Sequence, residues 1–77
     1  MTRNRRIYRD VQIGNLTNRI KELEEELLEK EMTAYDMAER YGTASHQYEI
    51  YAHVTLAIRA DIEEYKAQLD EHLQATY

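Results

Sequence analysis

Four arginines fall within seven positions near the start of the chain: Arg3, Arg5, Arg6 and Arg9, in the run Thr2-Arg3-Asn4-Arg5-Arg6-Ile7-Tyr8-Arg9. Guanidinium groups bind anions by charge and by paired N–H donors, so the chemistry here is recognition of phosphate or carboxylate. Two partners fit, a nucleic acid backbone or an acidic protein surface, and a dimer would present eight such groups. The plainer reading is a flexible, solubilising arm over residues 1–9, or one that folds back on the acidic part of the chain. The net charge is −5, and residues 1–9 hold no acid. The remaining 68 residues therefore carry six of the ten basic and all fifteen acidic side chains, a balance of −9. That acidic body repels nucleic acid everywhere except at the arm.

The acids are concentrated in Glu22, Glu24, Glu25, Glu26, Glu29 and Glu31. Such a run can mimic a phosphate backbone, but it reads more simply as the wet face of a helix. His46 and His53 are seven apart, about 10 Å along a helix axis, too far to share a metal. Glu49 and His53, at i and i+4, make two ligands without a third, which is a poor site. There is no cysteine, no glycine-rich phosphate loop, and no serine with a plausible base beside it. The sequence thus predicts no catalytic, cofactor or metal site, and no enzyme. Seven tyrosines stand with no Phe and no Trp. Tyrosine packs an apolar ring while keeping a polar tip, which suits an interface. Tyr35, Tyr41 and Tyr48 lie close to a predicted turn, so Tyr35 and Tyr41 join the arginines as candidate partner contacts.

These residues need elements to hold them, and composition says the elements are helices. The 77 residues include no proline and two glycines, and are rich in Ala, Leu, Glu, Lys and Arg; these are strong helix formers. Apolar positions recur at alternating steps of three and four: Ile13, Leu16, Ile20, Leu23, Leu27, Lys30, Ala34, Met37 and Tyr41, then Tyr48, Tyr51, Thr55, Ile58, Ile62, Tyr65, Leu69 and His72. A 3.5-residue repeat keeps one stripe facing a partner helix. The seven-residue step from Tyr41 to Tyr48 leaves the register unbroken, so one long helix or a hairpin satisfies it. Tyr41-Gly42-Thr43-Ala44-Ser45 favours the hairpin, because glycine closes helices in the left-handed conformation and Thr or Ser caps the next. A capping-box-like Thr33-Ala34-Tyr35-Asp36 offers an alternative break.

The fold expected is therefore all-α: an antiparallel hairpin with a coiled-coil-like heptad seam. Helix one spans about residues 11–41, the turn about 42–44, and helix two about 45–74, with residues 10–77 forming the hairpin. Centring the turn between residues 42 and 43 pairs Leu16 with Leu69, Ile20 with Tyr65, Leu23 with Ile62, Leu27 with Ile58, Lys30 with Thr55, Ala34 with Tyr51, and Met37 with Tyr48. It also sets Glu24 near Arg59 and Glu26 near Asp61.

A chain this short buries only roughly 60–65% of its unfolded surface. Without cysteines, oligomerisation is the natural way to cover more. Helix two is apolar around most of its circumference, which marks a helix buried on more than one side. The sequence accordingly predicts a homodimer forming a four-helix bundle, with Tyr48, Ile50, Tyr51, Val54, Ala57, Ile58, Ile62 and Tyr65 at the interface. No window has the apolar length of a membrane span, and no apolar stretch follows the basic start, so a cytoplasmic protein without membrane contact is expected. Function is expected to be non-catalytic: a small regulator, an inhibitor for instance, that binds another protein through its helical surface. The alternatives are nucleic acid binding by paired arms and a structural subunit of a larger assembly.

Overall fold

The computed structural model describes the backbone of residues 2–74 and the side chains of residues 6–74. Two helices make up the fold: α1, Thr2–Tyr41, and α2, His46–Gln74. They pack against each other along one rod, 59 Å long and 14 by 12 Å in its other extents. This is the antiparallel all-helical hairpin that the heptad pattern and the turn predict.

The turn is built from a glycine and a serine. Gly42 adopts φ +89°, a left-handed conformation that a side chain would strain. Its N–H donates to the Ala38 carbonyl at 2.9 Å, closing α1 with the single bond of an αL cap. Ser45 then opens α2. Its Oγ accepts the Tyr48 N–H at 3.1 Å and donates to the Gly42 carbonyl at 2.7 Å, while its own carbonyl accepts Glu49 N–H. One hydroxyl thus satisfies a free amide of the second helix and ties it to the end of the first. The alternative break at Thr33 is not used. There α1 continues, and the Thr33 hydroxyl donates back to the Glu29 carbonyl at 3.1 Å.

One boundary differs from the expectation. Helix α1 begins at Thr2, so residues 2–9 are its first turns instead of an arm ahead of a helix starting near residue 11. The physical reason is that nothing there stops a helix. Arginine is a good helix former, no proline intervenes, and Gly14 costs a helix only about 1 kcal/mol. At 1.5 Å per residue, α1 is about 60 Å long and α2 about 44 Å. The difference leaves the arginine-bearing turns extending towards and past the far end of α2, where Tyr8 meets His72 edge to face at 6.5 Å.

The core is the heptad seam. Ile20, Leu23, Ile58 and Ile62 form its buried centre, with Leu27, Val54, Tyr65 and Leu69 packed against them. These are the residues of the central predicted layers, with Val54 added. Leu16 and Ala34 are also buried. Thr55 is buried too, its hydroxyl satisfied by the Ala52 carbonyl at 2.8 Å, and Lys30, its expected partner, is only half-buried. Among the described residues no large side chain is wholly enclosed, as expected when only two helices share a seam.

Candidate interaction surface

The seam leaves each helix with a lateral flank. On α1, Leu28, Met32 and Tyr35 stand at i, i+4 and i+7, one above another on one face. All three are strongly exposed. Beside them lies an open concavity of about 500 Å³ near the turn. Its walls include Tyr35 and Leu56, and its lining includes the small residues Ala34, Ala38 and Ala52. Its two charged residues are Glu31 and Arg59, and these meet each other, Arg59 donating to the Glu31 carboxylate at 2.6 Å. The sequence set Arg59 near Glu24. The two do line one smaller concavity, with Leu27, Ile62, Glu63 and Lys66, but the hydrogen bond goes to Glu31.

The predicted oligomer residues separate into two groups. Ile58 and Ile62 are buried in the chain's own seam, so the hairpin itself consumes that part of the circumference of α2. Tyr48, Tyr51, Val54 and Tyr65 are half-buried, and Ile50 and Ala57 are exposed. The neighbouring Tyr65 hydroxyl is the largest influence raising the Arg19 pKa above its ordinary value, ahead of the contribution from Glu22. Leu28 and Met32 were missed. They lie off the heptad stripe, and a stripe search ranks them with any other surface residue.

The candidate partner contacts fare differently. Tyr35 and Tyr41 are both exposed, Tyr41 at the end of the seam where α1 closes. Arg6 is exposed, while Arg9 is half-buried and holds its Nε 3.9 Å from the Asp10 carboxylate. Arg3 and Arg5 lie on the backbone of α1, but their side chains fall outside the described residues. At 100° per residue, helical positions 3, 5, 6 and 9 fall within an arc of about 160° over about two turns, on one side of α1.

Glu49 and His53 approach within 3.6 Å, an ion pair only when the imidazole is protonated. Among the described residues no three His, Asp or Glu side chains cluster in a metal-binding arrangement. No helix among them is long and apolar enough to cross a membrane. Comparison of the chain with protein-family profiles, with curated proteins and with solved structures returns no match.

Proposed function

We propose that this protein is a non-catalytic interaction module: a helical hairpin that pairs with itself into a four-helix bundle and binds and modulates another protein. The observation that supports the reading is the imbalance between covered and uncovered apolar surface. Among the described residues six hydrophobic side chains are buried, whereas Leu28, Met32, Tyr35 and Leu56 on the body of the rod and Tyr41 and Ile50 near the turn stand exposed. Single exposed hydrophobic residues are ordinary; a clustered set, such as Leu28, Met32 and Tyr35 on one face of α1, marks a surface meant for a partner. Tyr41 and Ile50, close to the turn, are the contacts proposed for the foreign protein.

The test is capture of partners from the source cell by the full chain and by a Tyr41→Glu/Ile50→Glu variant. The expected result is that the variant loses its partner but keeps its helical circular dichroism and a molar mass twice 9.2 kDa. The reading fails if every variant that loses the partner is also unfolded. A second reading assigns the basic end of α1 to a phosphate backbone. It is supported by the extension of that end along α1 away from the turn, clear of most of the acidic body.

A further inference from the structure

We infer that the end of α1 away from the turn is an interfacial helix, which docks the protein on a lipid surface rich in anionic headgroups. The inference goes beyond the protein contact proposed above, which lies near the turn, and stands independently of it.

Two features meet at this end, and each alone would be ordinary. The first is charge. Residues 2–9 carry four arginines and no acid, all within the arc of about 160° described above. The second is exposed apolar surface on the other side of the same turns. Positions 4, 7, 8, 11, 15 and 18 share an arc of about 100° that does not overlap the arginine arc. It reads Asn4, Ile7, Tyr8, Val11, Asn15 and Asn18, without a charge. Ile7, Tyr8 and Val11 are 53, 56 and 52% exposed. Leu73 of α2, next to the His72 that meets Tyr8, is 58% exposed at the same end.

The seam explains the placement. Arg6 and Arg9 continue the heptad stripe of Ile13 and Leu16, so the arginine arc is centred on the side of α1 that faces α2. Ile7 and Val11 are therefore turned away from α2, and the hairpin leaves them uncovered.

Charge and apolarity together select the occupant. A nucleic acid would engage the arginines and leave Ile7 and Val11 in water. A basic amphipathic helix on a membrane sinks its apolar arc to the headgroup level, while long arginine stems carry their charges to the phosphates. A cluster of four cations suits an anionic leaflet. Acids set the limit of the contact. Asp10 lies on the arginine side, 3.9 Å from Arg9, but the apolar arc meets no acid before Glu22, Glu25, Glu26 and Glu29. An anionic surface repels those glutamates. Contact thus ends about 21 Å along α1, from Asn4 to Asn18, and the remainder of the 59 Å rod tilts away. Among the described residues no helix is long and apolar enough to cross a membrane; this one lies in the surface.

The test sediments the full chain with vesicles of phosphatidylcholine alone or with roughly one-third phosphatidylserine. The expected result is binding to the anionic vesicles only. Arg3→Gln/Arg6→Gln and Ile7→Asn/Val11→Asn should each weaken it about tenfold, with the helical circular dichroism retained. No binding to anionic vesicles overturns the inference, and so does binding indifferent to Ile7→Asn/Val11→Asn, which is charge attraction alone. Duplex DNA bound in place of the vesicles overturns the lipid as occupant. A second measurement covers the case in which a substituted end loses its helix. The chain has no cysteine, so a polarity-sensitive dye is placed on Val11→Cys or on Met32→Cys. Its emission should shift to the blue on anionic vesicles at Val11→Cys and stay unchanged at Met32→Cys. No shift at Val11→Cys, or an equal shift at Met32→Cys, overturns the proposed contact.

Discussion

Gly14 stands in the middle of an uninterrupted turn of α1, and a Cβ built on it would meet nothing within 4 Å. Glycine there has no left-handed conformation to justify it, since the positive φ in the described chain belongs to Gly42. Its only local effect is the greater backbone freedom that folding must remove. Gly14→Ala should therefore stabilise the fold by about 0.5–1 kcal/mol, raising the thermal midpoint by several degrees for a chain of this size. Circular dichroism melting measures it. Unchanged or lowered stability would mean that something approaches the helix at that point in solution. Three-dimensional context makes it an interior helix residue with a clear neighbourhood. Thr17, three residues on, is likewise occupied within the helix, its hydroxyl donating to the Ile13 carbonyl at 2.7 Å.

At the scale of elements, the turn is where short-range chemistry decides topology. Gly42 and Ser45 play different parts, and substitution separates them. Gly42→Ala forces a side chain into a left-handed conformation and should cost about 1–2 kcal/mol. Ser45→Ala removes the acceptor for the Tyr48 N–H and should cost about 1 kcal/mol. Urea denaturation of both variants checks the order, and equal or negligible losses would mean that the seam alone holds the hairpin closed. The two helices were legible because their evidence is local and repeated. Alternating steps of three and four, the Tyr41–Ser45 turn and the cap all sit within a few residues of one another. The start of α1 was not legible, because Arg3 to Arg9 carry no stop signal and no periodic apolar stripe to claim them. Only the continuing backbone assigns them to the helix.

At the scale of the whole molecule, charge is divided along the rod. The arginine-rich turns lie at the open end, while the glutamates from Glu22 to Glu31 and most remaining acids line the body. Long-range attraction of a polyanion is thus directed to one end and repelled along the rest. If the basic end binds a phosphate backbone, affinity for duplex DNA should fall steeply with salt. The logarithmic slope should approach about −3.6 per chain when all four arginines engage. Removal of residues 1–9 should abolish the binding. Salt-insensitive binding, or binding that survives the truncation, would leave the arginines with no role in it.

The sequence by itself determined the helical class, the hairpin, the position of its turn and the identity of the seam. Each of these follows from spacing along one chain, and spacing is fully present in the residues. Tertiary structure alone decided what remains uncovered. Whether a side chain about 100° round the helix from the seam is covered depends on the rotation of each helix about its own axis and on the bulk of its neighbour. The heptad repeat specifies neither for residues off the stripe. Ile58 and Ile62 were for this reason available to an interface on paper and buried in the folded chain. Leu28 and Met32, unremarkable in the sequence, joined Leu56 in an exposed apolar flank once both helices were in place.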